Sequence, residues 1–204
     1  MSVLFVTGTG TEVGKTWFAS RLITAWRDAG VAVVARKPAQ SFEPGTGPTD
    51  ADLLGAASGE DPHVVCPAHR WYEVPMAPPM AAAVLGRPPI TVADLVRECA
   101  PAPNGAITLV EGAGGPRSPI AEDGDSVDLA RALGAERVLL VADAGLGTIN
   151  AVRLCLEALR GFPVLVALNR FDPADDLHVR NRAWLADHGI ALTVDPAGAA
   201  ALLR

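Results

Sequence analysis

Short apolar runs alternate with longer stretches of helical periodicity along most of this chain. Five runs have the length and composition of buried β-strands, namely residues 3–7, 31–36, 107–110, 138–142 and 164–168. Runs that stay apolar on both sides of the pleat are typical of strands in a sheet that is covered on both faces. The pattern therefore predicts an α/β fold with a mostly parallel sheet and helices on both faces.

Two segments between these runs have the period of an amphipathic helix. In residues 15–30, one face carries Phe18, Leu22, Trp26 and Ala29. Gly30 is placed to end that helix. In residues 148–160, the apolar positions are Ile149, Val152, Leu156 and Leu159, which step by three, four and three residues. Both segments are predicted to pack one face against the sheet.

The remaining segments are shorter. Helices are predicted at residues 50–57, at 79–85, and from a cap at Thr91 to Cys99. Loops are predicted at residues 40–48, 101–105 and 116–125, and an alanine-rich piece follows at 197–203. We expect all of these to belong to one domain, residues 1–204.

Composition narrows the classes of function. The net charge is −6 and no block of Lys or Arg is present, so nucleic acid and anionic membranes are not expected as partners. The sequence shows no apolar run of the roughly 18 residues that a membrane span needs, and no secretory leader is visible. Cys66, Cys99 and Cys155 match no metal-site spacing, which favours reduced thiols and a cytoplasmic protein.

The sequence Gly-Thr-Gly-Thr-Glu-Val-Gly-Lys-Thr, residues 8–16, follows the first predicted strand and opens the first predicted helix. A phosphate-binding loop needs this order, because its backbone N–H groups and a helix N-terminus must face an anion. The common pattern separates its first Gly from Gly-Lys-Thr by four residues, whereas five lie between Gly8 and Gly14. Lys15 is then placed for the β- and γ-phosphates and Thr16 for Mg²⁺. A glycine-rich turn that binds nothing is the alternative.

Charged residues also follow other predicted strands, at the edge where ligands of open α/β sheets bind. Lys37 would point at the γ-phosphate, unless it is a solvated lysine. Glu111 follows the third strand, where a carboxylate can hold Mg²⁺ directly or through water. Asp50 is a further candidate, although either Asp of residues 49–52 could instead cap a helix. Within the loop, Glu12 should face a cation, either Mg²⁺ or a positively charged substrate, because its charge would otherwise repel nucleotide phosphates.

Taken together, these residues resemble the dethiobiotin synthetase family. The resemblance runs from residue 3 to about residue 170, with its segments in the same order. The segments are GTGTEVGKT at 8–16, KPAQS at 37–41, TDADLL at 49–54, YEVPMAPPMAA at 72–82, VEGAGG at 110–115 and GLGTINAVRLCLEAL at 145–159. The nine-residue loop, together with VEGAGG and GTIN, makes the match specific, which the loop alone would not.

The resemblance implies a P-loop NTPase fold and an ATP-dependent enzyme of biotin biosynthesis. Such an enzyme joins CO₂ and 7,8-diaminopelargonate into a cyclic urea with ATP and Mg²⁺, and it works as a homodimer. One amine forms a carbamate, ATP phosphorylates it to a carbamic-phosphoric anhydride, and the second amine closes the ring and expels phosphate. Phosphoryl transfer depends mainly on positioning and charge neutralisation, so this chemistry suits a charged site.

The resemblance also implies roles for individual residues. Catalytic roles fall to Lys15 and Lys37, which bracket the phosphate and carbamate oxygens, and to Thr11, Glu12 and Ser41 beside them. ATP contacts fall to Gly8, Gly10, Thr11, Glu12, Val13, Gly14, Lys15, Thr16 and, at the adenine, Asn169. Coordination of Mg²⁺ is implied for Thr16, Asp50 and Glu111. Substrate binding is implied for Ser41, Gly114, Gly147, Thr148, Ile149 and Asn150. The last four lie at a helix start, which in the family receives the carboxylate of the substrate across a dimer interface.

The chain departs from the family in three places. After Lys37-Pro38 the family usually has a small residue and Gly, whereas here Gln40-Ser41 is followed by Phe42. Pro116-Arg117-Ser118 stands where aliphatic residues are common, and the segment after Asn169 matches the family's base pocket poorly. Because Asn169 alone then contacts the base, we expect GTP, CTP or UTP to support turnover within roughly tenfold of ATP.

Three other functions compete with this interpretation of the sequence. A partition or division-site ATPase of the same fold carries a Lys five residues before the phosphate Lys, where this chain has Gly10. A cobyrinic acid synthase has a similar first half but adds a long glutaminase domain, which is not expected within 204 residues. The third is a nucleotide-binding homologue that has lost turnover.

Overall fold

The computed structural model describes residues 2–99, 102 and 105–203. Its β-strands are β1 Ser2–Gly8, β2 Val33–Arg36, β3 Gln40–Ser41, β4 Trp71–Tyr72, β5 Ile107–Glu111, β6 Pro119–Ala121, β7 Gly124–Asp125, β8 Arg137–Asp143, β9 Val164–Asn169 and β10 Leu192–Thr193. Its α-helices are α1 Lys15–Asp28, α2 Asp50–Ser58, α3 Pro62–Val65, α4 Pro78–Val84, α5 Val92–Glu98, α6 Ser126–Ala132, α7 Thr148–Ala158, α8 Asp176–Asp187 and α9 Pro196–Leu202. A 3-10 turn, Ala68–Arg70, precedes β4.

Within these residues, six strands form one parallel sheet in the order β10-β9-β8-β1-β5-β2. Strand β1 lies in its interior, paired with β5 from Ser2 to Val6 and with β8 from Leu4 to Gly8. Because the strands are parallel, their carboxyl ends meet at one edge of the sheet. The loops that follow β1, β2, β5, β8 and β9 open at this edge, which is where ligands of open α/β sheets bind.

Alternate residues of β1 face two separate hydrophobic cores, as the pleat of a strand requires. Leu4 and Val6 belong to the core that includes α1, α2 and α9. Val3 and Phe5 belong to the core that includes helices α4 to α8. The sheet is therefore covered on both faces, and this is why its strands are continuous apolar runs in the sequence.

The predicted fold class is confirmed, and all five predicted strands lie within two residues of their expected bounds. Thr91 caps α5 as predicted, in a reciprocal arrangement with Asp94. Phe18, Leu22 and Trp26 are fully buried on α1. The prediction for Ala29 is wrong, since this residue is exposed because α1 ends one residue before it.

Helices α6 and α8 and strand β10 are not predicted by the sequence pattern. Helix α6 has seven residues, too few to show a period, and starts after a cap at Asp125. Of the twelve residues of α8, only Asn181 and Leu185 are buried, so its apolar periodicity is weak. Strand β10 is two residues long and depends on pairing with β9.

The loops predicted at residues 40–48 and 116–125 contain short strands. Strand β3 pairs in parallel with β4, and β6 pairs with β7 in an antiparallel hairpin. The connector predicted at residues 101–105 lies mostly outside the described residues.

None of the helices in the described ranges has the length and apolar character needed to cross a membrane. In that part of the chain, Cys66, Cys99 and Cys155 are buried and form no disulfide. Burial raises the pKa of both Cys66 and Cys99 to about 12, which keeps these thiols protonated and unreactive at neutral pH.

Candidate active site

The loop between β1 and α1 turns tightly and encloses an open space. Gly14 is the N-cap of α1 and has a left-handed φ of 87°, where a residue with a Cβ is strained. A Cβ on Gly8 would lie 2.7 Å from Cγ2 of Val13 and 2.9 Å from the carbonyl oxygen of Gly10. The turn therefore requires glycine at both ends of the loop.

The backbone N–H groups of residues 10–14 donate no hydrogen bond to any residue that the structure describes. Free N–H groups at a helix start form a natural anion site. Lys15 bends back over the loop, and its Nζ donates to the carbonyl oxygen of Gly10 at 3.1 Å. Burial lowers the pKa of Lys15, and the Lys37 ammonium lowers it further. The loop thus combines free donors with a cation, as phosphate binding requires.

The end of β9 supports the loop from behind. The side-chain Nδ2 of Asn169 donates to the carbonyl oxygen of Val13 at 2.9 Å. A Cβ on Gly14 would lie 2.1 Å from the same nitrogen. Asn169 therefore occupies the space that a side chain at position 14 would need. The adenine contact expected of Asn169 stays a prediction.

A buried charge cluster lies beside the loop. The Nζ of Lys37 is 2.6 Å from Oδ2 of Asp50 and 2.7 Å from Oε1 of Glu111. The hydroxyl of Thr16 is 2.7 Å from Oδ1 of Asp50 and 2.9 Å from Oε1 of Glu111. Lys37 is only 2% exposed, so it is a buried, ion-paired residue rather than a solvated lysine.

The charges of this cluster stabilise one another against burial. Burial opposes the charged form of Lys37, but Asp50 and Glu111 outweigh it, so the pKa of Lys37 lies above its usual range. Burial would raise the pKa of Asp50, yet the Lys37 ammonium more than offsets this and lowers it. Glu111 is fully buried, and loss of solvation raises its pKa. A second cation beside Glu111 would stabilise its charged form.

The residues of this cluster fit a magnesium ion. The Oε2 of Glu111 is buried and has no hydrogen-bond partner among the described residues. Asp50, Glu111 and Thr16 would supply oxygen ligands to such an ion, and two carboxylates with one hydroxyl would leave coordination positions for water and phosphate oxygens. Across residues 2–99, 102 and 105–203, no group of three or more His, Cys, Asp or Glu could hold a metal. An ion here would therefore share its coordination with a nucleotide.

One cleft of about 730 Å³ joins the loop and the charge cluster. The predicted site residues on its wall are Thr11, Glu12, Gly14, Lys15, Thr16, Lys37, Ser41, Asp50 and Gly114. A cavity of about 260 Å³ adjoins it and shares Thr11, Ser41 and Gly114. Lys15 and Lys37 are the two lysines of the whole sequence, so every lysine in the chain serves this cleft.

The predicted substrate residues Gly147, Thr148, Ile149 and Asn150 lie elsewhere, at the start of α7. None of the four lines the cleft of the same chain. Gly147 is exposed with a left-handed φ of 89°, and its neighbour Leu146 is 93% exposed. The structure therefore places this helix start outside the main cleft of its own chain.

Asp50 does not cap a helix, so that alternative is wrong for Asp50, whereas Asp52 does take part in capping α2. Thr49 is the N-cap of α2 and forms a capping box with Asp52. Asp50 is the first residue of the helix and turns its carboxylate to Thr16 and Lys37. The threonine leaves Asp50 available to the site.

Several residues of the cleft wall are not predicted from the sequence, among them Trp17, Gln40 and Arg170. Arg170 donates from Nη2 to the carbonyl oxygen of Glu12 at 2.8 Å. It directly follows a strand at the ligand-binding edge, and that position is the signal that could have identified it. Trp17 is 51% exposed on α1 and carries no comparable signal.

A phosphate loop after an interior strand of a parallel sheet, with lysines and carboxylates at neighbouring strand ends, defines a P-loop nucleoside triphosphatase. A family model described as an AAA domain matches residues 2–189. Among solved structures, the signal recognition particle receptor FtsY from Elizabethkingia anophelis is similar over 94% of this chain, with a TM-score of 0.55 and 16% identity. This chain spans 57% of that FtsY chain, and the likeness concerns the fold alone.

Named relatives show to which family of P-loop nucleoside triphosphatases the chain belongs. The ATP-dependent dethiobiotin synthetase BioD of Anaeromyxobacter dehalogenans (strain 2CP-C) is 45% identical over 182 residues, which cover 86% of this chain and 80% of the relative. The protein of the same name from Caulobacter sp. (strain K31) is 42% identical over 172 residues, covering 82% and 74%. The chain belongs to the ATP-dependent dethiobiotin synthetase family, as the sequence resemblance predicts.

We expect Gly14→Ala to weaken ADP binding by roughly tenfold to a hundredfold, because the new Cβ would meet Asn169 on a strained backbone. Gly30→Ala is the matched control, because Gly30 also has a left-handed backbone, with a φ of 74°, but lies beyond the other end of α1, where a Cβ would meet nothing within 4 Å. Titration calorimetry with ADP and Mg²⁺ measures both variants, and circular dichroism checks their fold. Wild-type affinity in folded Gly14→Ala would contradict this arrangement of the loop.

Proposed function

We propose that this chain forms dethiobiotin from 7,8-diaminopelargonate, CO₂ and ATP by closing a cyclic urea, a step of biotin biosynthesis. The observation that carries the proposal is that Lys15, Lys37 and Asp50 line one cleft at the sheet edge, with the buried carboxylate of Glu111 paired to Lys37 behind it. Relatives up to 45% identical bear the name ATP-dependent dethiobiotin synthetase, which supports this choice of substrates.

The proposed reaction needs charge neutralisation more than covalent help from the protein. One amine of the substrate adds to CO₂ and loses a proton, which gives a carbamate. A carbamate oxygen attacks the γ-phosphorus of ATP, and the bond to the bridging oxygen of the β-phosphate breaks as ADP leaves. The second amine attacks the carbamoyl carbon, loses a proton, and expels phosphate together with the former carbamate oxygen. Negative charge therefore gathers beside the lysines in every step.

The two lysines divide this charge between them. Lys15 follows the free N–H groups of the loop and faces the β- and γ-phosphates. Lys37 is fixed by Asp50 and Glu111, so its charge is already oriented before phosphoryl transfer begins. Because its pKa is raised, Lys37 stays an ammonium ion and acts through its charge, not as a base.

Mg²⁺ belongs to this proposal as the partner of ATP. Thr16, Asp50 and Glu111 would hold the ion, and the buried Oε2 of Glu111 is an oxygen without another partner among the described residues. When bound, the ion neutralises charge on the β- and γ-phosphates. The protein's part is to keep the two carboxylates together, which the Lys37 ammonium does here.

Thr11, Ser41 and Gly114 line both the main cleft and the adjoining cavity, which supports a substrate site there. Glu12 is exposed on the cleft wall, where its carboxylate suits an ammonium group of the diamine.

Use of other nucleoside triphosphates stays a prediction. It is supported by Asn169, whose Nδ2 already bonds the loop and leaves few groups for reading a base.

We further propose that the working unit is a homodimer. The start of α7, from Gly147 to Asn150, lies away from the cleft of its own chain, yet a helix N-terminus suits the carboxylate of the substrate. The long diamino acid can reach the α7 start of a second subunit. Leu146 and Leu154 are 93% and 63% exposed beside it, as expected for a surface that contacts another copy.

An assay of phosphate release distinguishes the three candidate functions. Phosphate release that depends on both 7,8-diaminopelargonate and CO₂ identifies a synthetase. Release that ignores both substrates identifies a switch ATPase, and ADP binding without release identifies a homologue that has lost turnover. No contact in the described residues favours either of these alternatives over the synthetase.

Lys37→Met keeps the length of the side chain but removes its charge. We expect kcat to fall by roughly a hundredfold or more, the effect of about 3 kcal/mol of transition-state stabilisation, with a smaller loss of ADP affinity. Steady-state phosphate release and calorimetry measure the two quantities. Equal losses in both would mean that Lys37 binds only ground-state phosphate.

The controls for this variant concern folding and general charge loss. Lys37→Met leaves two buried carboxylates without their cation, so circular dichroism and thermal unfolding must accompany the kinetics. Arg36→Met removes the neighbouring cation, which pairs with Glu60 away from the cleft, and should keep wild-type kcat.

Subunit mixing tests the dimer. Lys15→Ala disables the phosphate loop, and Thr148→Trp places a bulky side chain at the α7 start, so each pure variant should be inactive. If the site is shared between subunits, mixed dimers contain one intact site and part of the activity returns. No recovery, with subunit exchange shown by a tagged pull-down, would mean that each chain builds its own site.

A further inference from the structure

Two residues other than glycine have a left-handed backbone in the described part of the chain, and they contact each other. These are Glu12, with a φ of 60°, and Arg170, with a φ of 57°. The Nη2 of Arg170 donates to the carbonyl oxygen of Glu12 at 2.8 Å. Residues with a Cβ adopt this conformation at a cost, and such strain concentrates at functional sites. The pair therefore points to a role for this contact.

The contact orients one peptide plane of the phosphate loop. The carbonyl of Glu12 and the N–H of Val13 belong to the same planar unit and point in opposite directions. Because Arg170 binds that carbonyl at the β9 side, the N–H of Val13 is turned to the opposite side of the loop. Asn169 does the same for the next plane, since it binds the carbonyl of Val13 and so turns the N–H of Gly14.

Arg170 is itself held in place. Its Nη1 lies 3.2 Å from Oδ2 of Asp143, at the end of β8. The other carboxylate oxygen of Asp143 accepts from the backbone N–H of Gly145 at 2.8 Å. The Arg170 side chain is 61% exposed, so an ion pair with Asp143 would by itself contribute little to stability. Arg170 differs from an ordinary surface arginine because it also donates a hydrogen bond to the carbonyl oxygen of Glu12 in the phosphate loop.

We propose that Arg170 is a positioning residue for phosphate binding, which acts by holding the Glu12–Val13 peptide plane so that the Val13 N–H faces the anion. This inference rests on the proposed nucleotide site. Arg170 acts through the loop backbone and not on the base or the diamine. Its loss should therefore weaken every ligand that carries the polyphosphate, by the same factor.

Arg170→Asn removes the guanidinium and keeps a residue that tolerates left-handed backbone, so the variant tests the side chain alone. Calorimetry with Mg²⁺ at fixed ionic strength measures binding of ADP and of inorganic tripolyphosphate. We expect both affinities to fall by roughly tenfold, the effect of one hydrogen bond. In turnover, KM for ATP should rise while KM for 7,8-diaminopelargonate stays unchanged.

Two further variants sharpen the comparison. Arg180→Asn removes an exposed arginine that pairs with Asp176 on α8 and should leave both affinities unchanged. Arg170→Lys keeps the charge but cannot span the Glu12 carbonyl and Asp143 together as a guanidinium does, so it should restore part of the affinity.

Three results would overturn the inference. A loss for ADP without a loss for tripolyphosphate would show that Arg170 contacts the nucleoside. Unchanged affinity for both would show that it forms only a surface ion pair. Failure of the wild-type protein to bind either ligand would instead remove the proposed nucleotide site itself, and with it the role of Arg170.

Discussion

The buried ammonium of Lys37 is the interaction on which the site depends. It brings together Asp50 from α2 and Glu111 from β5, and the hydroxyl of Thr16 from α1 contacts the same carboxylates. Two carboxylates so close would repel each other in a buried setting without a cation between them. A buried ion pair is seldom the most stabilising choice for a core. Its value here lies in fixing charge where a phosphoryl group would be transferred.

The phosphate loop depends on a second constraint, its support from the end of β9. Asn169 binds the carbonyl of Val13, and the space it occupies excludes any side chain at Gly14. The loop is therefore shaped by the sheet edge behind it as well as by its own glycines. This explains how a loop longer by one residue than the common pattern can still present its N–H groups to an anion.

The sequence predicts the sheet and the phosphate loop because both depend on local patterns, namely continuous apolar strands and a motif at a strand–helix junction. The sequence predicts the position of Lys37 at this edge but not whether its side chain is buried, because burial depends on residues far along the chain such as Glu111. Helix α8 was missed because it buries only Asn181 and Leu185 among its own residues. Arg170 follows a strand at the ligand-binding edge, but its contact with a backbone carbonyl 158 positions away leaves no motif that would assign it a role.

We propose that ATP phosphorylates a carbamate oxygen in this cleft, and an oxygen label follows that step. The protein is given C¹⁸O₂, ATP, Mg²⁺ and 7,8-diaminopelargonate, and the reaction is stopped before the label exchanges with water. We expect the released phosphate to carry one ¹⁸O atom, seen by mass spectrometry, for each dethiobiotin formed. Phosphate without the label, released alongside dethiobiotin, would contradict the claim.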